Sequence, residues 1–386
     1  MPGYELIGKE ELDEIKEIFN NGGILFRHGF DNLRGNTYKV KEFEKKFSQE
    51  IPSNHCLAVT SGTAALRVAL SALELQPDDE IITQAFTFVA TVEAIIESRA
   101  RPVCANIDNT LNLCPQDFRN RITNKTKAVI VVHMLGVPAR LDEIKSICDE
   151  HNITLIEDTA WGCGGSFQNI KLGTYGDIGT FSFDFAKTIT TGEGGMISFK
   201  DEVLFKKAAA WHDHGHENNP MVPRWEDTRS SSGFNYRMME LQGAVGLAQL
   251  KKLSFVVDAQ RKNRDLIVNE LKTIKKIVFR EIPKDSFDTA DALVFFVDSN
   301  SVAKKCRDSL LKIGISTKIL PEAYTWHFAG TWNHMKELSD SHNNDLINDL
   351  KKSHEILSRS VAIPINVKMD AGMENEIFKA ISTVII

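Results

Sequence analysis

The sequence predicts an α/β protein: a large lobe on a mainly parallel sheet covered on both faces, then a smaller α+β lobe. Three observations carry this expectation. Between residues 56 and 158, short continuous apolar runs alternate with helical stretches, the pattern of parallel strands buried on both faces. The chain has 386 residues, more than one hydrophobic core usually covers. Near residue 254 the character changes to a long charged helix and short strands, which sets 1–253 apart from 254–386.

In chain order, residues 9–19 place Leu12, Ile15, Ile18 and Phe19 on one helical face. The following loop holds Arg27-His28-Gly29-Phe30-Asp31-Asn32-Leu33-Arg34-Gly35, which reads as a solvated connector or as an anion-binding part of a substrate pocket. Residues 40–47 are helical. A buried-type strand at 56–59 runs into Thr60-Ser61-Gly62-Thr63 and a helix to residue 70. Such a turn offers backbone N–H groups and the positive end of a helix dipole to a phosphate, although it also suits an ordinary helix cap. Strands at 80–83, 102–105, 126–133 and 154–158 alternate with helices at 88–97 and 140–151. Ligands of these sheets bind at the carboxyl ends of the strands, where Ser61-Gly62-Thr63 and Asp158 stand.

An aromatic-rich run, Phe181-Ser182-Phe183-Asp184-Phe185-Ala186, leads into Lys187, then a glycine-rich loop and the apolar run 196–199. Burial would lower this lysine's pKa toward the neutral amine that an imine with an aldehyde or ketone requires. The alternative is a surface lysine at a hairpin tip. After a helix at 204–211, the loop 212–232 carries His212, His214 and His216 with Asp213 and Glu217. Alternating loop residues rarely converge on one ion, and no cysteine accompanies them, so a substrate cover is expected here and no metal site. A helix at 240–253 presents Gly243, Ala244, Gly246 and Ala248 for close packing. The second lobe reads as a helix at 257–275, strands at 277–280 and 292–297, a helix at 302–313 and a strand at 315–319. A loop with Tyr324, Trp326 and His327 follows, then a polar helix around 346–358 and a last helix from Gly372.

Composition narrows the class. With 42% hydrophobic residues, 25% charged and a net charge of −6, the chain reads as a soluble enzyme whose partner is not nucleic acid. No stretch has the pattern of a signal peptide or a bilayer span. The six cysteines are scattered without a Cys-x-x-Cys pair, as expected of reduced thiols in the cytoplasm.

Asp158, Lys187 and the Ser61–Thr63 turn together are what pyridoxal 5′-phosphate requires. A lysine holds the aldehyde, an aspartate keeps the pyridine nitrogen protonated, and backbone donors anchor the phosphate. Phe88, opening a helix after another strand, could stack on the ring.

At these residues the sequence resembles the DegT/DnrJ/EryC1/StrS sugar aminotransferases, which have the aspartate aminotransferase (type I) fold with a seven-stranded-type sheet. The stretches that carry the likeness are 60–66, 85–91, 156–158, Phe181-Ser182-Phe183 through Lys187 to Gly194-Gly195, Gly233-Phe234-Asn235-Tyr236-Arg237-Met238 with Gln242, and Ile363-Pro364, so it spans nearly the whole chain. The resemblance implies that Gly62, Thr63 and Ser182 bind the phosphate, joined by Asn235 from the neighbouring subunit of a homodimer. It implies that Phe88 stacks on the ring, that Asp158 pairs with its nitrogen, and that Lys187 carries the cofactor and moves protons. Where the family usually has glutamine or histidine to meet the ring hydroxyl, this chain has Trp161, which reads as a cofactor contact, a pocket wall or a packing residue. Relatives that remove a sugar hydroxyl carry histidine in place of the lysine, so Lys187 favours transamination over a dehydratase or a regulatory role.

The implied donor is L-glutamate. Gly29-Phe30-Asp31, residues 84–91, and His212 to His216 with Pro220 are most similar to the branch that aminates the C8 aldehyde of 8-oxo-3,8-dideoxy-manno-octulosonate, a free sugar acid of lipopolysaccharide synthesis. The alternative is a nucleoside-diphosphate-linked ketohexose. Arg27, His28, Arg34 and His327 are the candidates for the acceptor's carboxylate, with His214 a further candidate for substrate contact.

Overall fold

The computed structural model describes residues 2–385. The N-terminal lobe contains α1 (Lys9–Asn20), α2 (Lys39–Glu50), β1 (His55–Val59), α3 (Gly62–Ser71), β2 (Glu80–Gln84), α4 (Val89–Glu97), β3 (Arg101–Ala105), α5 (Pro115–Arg121), β4 (Thr126–Val132), α6 (Leu141–His151) and β5 (Thr154–Asp158). The short strands β6 (Ser166–Phe167) and β7 (Ile170–Lys171) follow, then β8 (Ile178–Ser182), β9 (Gly195–Phe199), α7 (Glu202–Trp211) and α8 (Glu240–Leu250). The remainder comprises α9 (Leu253–Leu271), β10 (Val278–Phe279), β11 (Ser286–Phe287), β12 (Ala292–Phe296), α10 (Asn300–Lys312), α11 (Lys336–Ser341), α12 (Leu346–Asp349), α13 (Lys351–Ser358), β13 (Ser360–Pro364) and α14 (Met373–Ile385).

The central sheet has seven strands in the order β1-β9-β8-β5-β4-β2-β3. β3, β2, β4, β5 and β8 pair in parallel, and β9 runs antiparallel to both β8 and β1. Successive strand residues point to opposite faces. Ile81, Ile130 and Ile156 accordingly pack with α3 and α7 on one side. Ile82, Val129, Val131 and Leu155 pack with α5 and α6 on the other. Burial on both faces is why these strands read as continuous apolar runs. Among the described residues, no helix is long and apolar enough to cross a membrane.

β10, β12 and β13 form a second sheet, whose core includes residues of α9, α10 and α14. The expected division at 253/254 falls at the first turn of α9. Leu253 and Val257 of that helix pack into the first lobe, and Ile267 and Leu271 pack into the second.

Three expected elements differ. The helix at 240–253 is broken between α8 and α9, and the one at 346–358 between α12 and α13. Residues 315–319 form no strand, because Ile319 turns left-handed at φ 72° and only Lys318 N–H reaches β13, at Ala362 O (2.9 Å).

The small residues of α8 do let other elements approach closely. A Cβ on Gly243 would lie 2.7 Å from the backbone nitrogen of Val40, and one on Gly246 would lie 2.6 Å from the ring of Phe43. Gly243→Ala should therefore cost about 1–3 kcal/mol through overpacking. The check is a lowered urea midpoint with an unchanged slope; an unshifted midpoint would contradict the close approach.

Candidate active site

The carboxyl ends of β1, β5 and β8 meet at one pocket of about 320 Å³. At β1, Ser61 is extended and caps α3, its Oγ accepting from Ala64 N (3.1 Å) and its carbonyl from Ala65 N (2.9 Å). The N–H groups of Gly62 and Thr63, in the first turn of α3, have no acceptor among the described residues. Ser182 ends β8 directly opposite. A Cβ on Gly62 would stand 2.7 Å from Ser182 Cβ and 3.0 Å from its Oγ, so only glycine permits this approach. The result is two free amides, a hydroxyl and a helix N-terminus, which is an anion cradle.

Asp158 ends β5 and is buried. Its carboxylate accepts from Ala160 N (3.1 Å) and Thr91 Oγ1 (3.3 Å). Burial pushes its pKa above the ordinary carboxylate value, opposed by the Ala160 N–H and the Lys187 ammonium. No cation touches it within the described residues. Thr91 is held in turn by Thr87, hydroxyl to hydroxyl at 2.7 Å. Phe88, the residue before α4, exposes 41% of itself, with Trp326 nearly parallel at 6.2 Å and His327 at 5.4 Å between ring centres. Thr87 N and Val89 N donate to the carbonyls of His327 and Trp326, which bind this corner to the second lobe.

Lys187 lies in the β8–β9 connection, its amide donating to Asp184 O (3.0 Å) and its carbonyl accepting from Gly3 N (3.0 Å). Its Nζ stands 3.5 Å from the centre of the Trp161 ring. Burial lowers its pKa to about 8; Asp291 opposes that shift and Lys318 adds to it. A surface lysine at a hairpin tip would show neither effect.

Gly62, Thr63, Phe88, Asp158, Trp161, Ser182, Lys187 and His327 thus line one pocket. Trp161 turns its face, not an edge, to the Lys187 ammonium. Its place in this wall leaves it partly buried against the core shared by the two lobes.

The other expected substrate residues stand elsewhere. Arg27 is buried, donating to Ala58 O (3.1 Å) and Glu44 Oε1 (2.6 Å). Arg34 is 1% exposed, donates to Gly29 O and Ile24 O, and lies 3.5 Å from Glu240 and 3.9 Å above the Tyr38 ring. The terminal nitrogens of both are held by structural acceptors, and neither arginine is among the residues that line the pocket. His28 faces Asp213 at 3.1 Å. His327 does line the pocket, but burial and then the Lys187 charge push its pKa down to about 4, leaving a neutral imidazole rather than a cation.

The 212–232 loop contributes no described residue to this chain's pocket. It is built around Asp213, which binds Arg224 (2.8 Å) and Arg237 and is held well below the usual carboxylate range, chiefly against its own burial, by His28 and Arg224. His214 is exposed and His216 pairs with Asp227 (3.1 Å), so the loop's histidines diverge. Asn235 is exposed, its Oδ1 accepting from Arg237 N (3.2 Å), outside this chain's own pocket.

Sequence reading assigns no role to Thr91, Asp184 or Glu193, which line the pocket, nor to Asp291 and Lys318, whose charges act on Lys187 from outside that lining. Thr91 sits one helical turn beyond Phe88, a spacing that could have marked it. Asp291 and Lys318 come from the second lobe, with no local signal.

The pocket fits pyridoxal 5′-phosphate on these grounds: an anion cradle, a buried carboxylate lacking a cation, an exposed aromatic ring and a lysine of lowered pKa. Comparison with known proteins agrees. The model of the DegT/DnrJ/EryC1/StrS aminotransferase family matches residues 7–382. The GDP-perosamine synthase of Escherichia coli O157:H7 is 34% identical over 292 residues, covering 75% of this chain and 76% of the relative. That of Vibrio cholerae is 35% identical over 243 residues, covering 63% of this chain and 65% of the relative. An aminotransferase structure from Psychrobacter cryohalolentis superimposes with a TM-score of 0.86 at 24% identity, covering 98% of this chain and 97% of that one. The chain belongs to the DegT/DnrJ/EryC1/StrS aminotransferase family, pyridoxal-phosphate-dependent enzymes that act on sugars.

Proposed function

We propose that this chain moves an amino group from L-glutamate to the C8 aldehyde of 8-oxo-3,8-dideoxy-manno-octulosonate, giving the 8-amino sugar acid and 2-oxoglutarate in the cytoplasm for lipopolysaccharide synthesis. The observation that carries the chemistry is the convergence of Lys187, Asp158 and the α3 N-terminus on one pocket. When bound, pyridoxal phosphate supplies an aldehyde that takes up the amino group and a ring that withdraws electrons. The amides of Gly62 and Thr63 and the Ser182 hydroxyl hold the phosphate. Phe88 packs on one ring face, and Asp158 accepts the N–H of the ring, gaining the cation it lacks. Lys187 holds the cofactor at rest and, once displaced, carries a proton at Nζ between the reacting carbons. In a homodimer, Asn235 adds a donor to the phosphate of the neighbouring pocket.

The octulosonate acceptor is supported by the sequence runs at 29–31, 84–91 and 212–216 with Pro220. A nucleotide-linked ketohexose is the second reading, favoured by the relatives named GDP-perosamine synthase.

Incubation with L-glutamate and each acceptor, followed by mass spectrometry of 2-oxoglutarate, separates them. Turnover is expected with the oxidised octulosonate; turnover with only the nucleotide sugar would replace the first reading by the second. Mixing cofactor-free protein with pyridoxal phosphate tests Lys187. A protonated amine cannot attack an aldehyde, so the growth of visible-edge absorbance should accelerate with pH and level off above about 8. An ordinary lysine would keep accelerating toward about 10.4. Lys187→Ala should show no such band. Asp158→Ala should stay folded while kcat falls by more than about 10²-fold, as for other losses of charge stabilisation; near-full activity would remove Asp158 from this role.

A further inference from the structure

Three carboxylates, Asp158, Asp184 and Glu193, line the pocket against one ammonium, Lys187. A substrate with its own carboxylate needs another cation to enter that field. Arg27 and Arg34 stand outside the pocket lining, and His327 is neutral.

Lys318 comes from the second lobe and stands beside Trp161, outside the residues that line the pocket. Its Nζ lies 4.8 Å from the centre of the Trp161 ring, the ring that Lys187 Nζ overlies at 3.5 Å. It donates to Asp291 Oδ1 at 2.6 Å. Asp291 is 2% exposed at its side chain, whereas Lys318 retains 18%. An ammonium has three donors; one goes to Asp291, and no described residue accepts the other two. Asp291 Oδ2 also lacks a partner. A lysine fixed by one carboxylate, with donors to spare beside a ring that lines the pocket, is a seat for the second carboxylate of an acceptor that extends past that ring.

The span also suits a sugar acid. The two ammoniums share one indole, at 3.5 and 4.8 Å from its ring centre, close enough for the two ends of one eight-carbon sugar acid to address both. The α-carboxylate of glutamate, by contrast, is attached to the very carbon that bears its amine.

We propose that Lys318, held by Asp291 against Trp161, receives the carboxylate of the sugar-acid acceptor while the acceptor's aldehyde end faces Lys187. This rests on the octulosonate reading and makes Lys318 a specificity-determining residue of that site.

The test is calorimetric titration of the cofactor-loaded enzyme with 3-deoxy-manno-octulosonate, whose C8 hydroxyl cannot be aminated, and with its uncharged C1 amide. Wild type should bind the acid about tenfold to a hundredfold tighter than the amide, the scale of a charged hydrogen bond. Lys318→Met should bring that ratio to about one while the amide's affinity holds, which also reports a folded pocket. Lys318→Gln, which keeps length and a donor toward Asp291, is the companion variant should Lys318→Met fail to fold. A preference for the acid that survives in a folded variant overturns the role of Lys318 alone. A wild-type enzyme with no preference for the acid overturns the sugar-acid reading itself.

Discussion

The constraint on which the site depends is the burial of Asp158. A carboxylate at the end of a central strand, 6% exposed and touched by no cation among the described residues, pays a heavy desolvation cost. Two neutral donors, Ala160 N–H and Thr91 Oγ1, offset only part of it. The raised pKa records the remainder. A protonated ring nitrogen supplies the missing charge, so the same burial that burdens the bare protein favours a cofactor with a pyridinium. The rest of the pocket follows from the sheet. Parallel strands bring the ends of β1, β5 and β8 together, which sets the α3 amides and Ser182 at one end of the space and Lys187 above it.

Much of this was legible in the sequence because it is local. Strand β5 ends at Asp158 as its apolar run indicates, and Ser61 caps α3 as its polar turn indicates. Gly62 is legible as a turn residue, but not for its real reason, which is the approach of Ser182 from a distant strand. The missing strand at 315–319 shows the limit from the other side. Its apolar residues suit a sheet, yet the left-handed Ile319 leaves β13 without a further partner along its length.

The arginines depend on distant partners in the same way. Composition marks Arg27 and Arg34 as anion binders, but whether an arginine is free depends on what the fold places beside it. Glu44 lies 17 residues from Arg27, and the Ala58 carbonyl 31 residues away. Both guanidinium groups are buried, and Arg34 holds its own loop through the Gly29 and Ile24 carbonyls. Asp291 and Lys318 are the converse case. Nothing near them in sequence is unusual, and they gain meaning only where the second lobe closes on the first.

That closure passes through Trp161. Thr289 Oγ1 donates to the Trp161 carbonyl (3.1 Å), and Thr289 N donates to Gly136 O (3.0 Å). Gly136 adopts φ 80°, and a Cβ there would meet Thr289 Oγ1 at 2.1 Å, so this junction requires glycine. The tryptophan therefore has its backbone tied to the second lobe and its ring in the pocket lining, beside both Lys187 and Lys318. A glutamine or histidine at this position would offer a hydrogen bond to the cofactor but no comparable face for two ammoniums. The substitution exchanges a polar cofactor contact for a wall that links both lobes and lies beside two ammoniums, one from each.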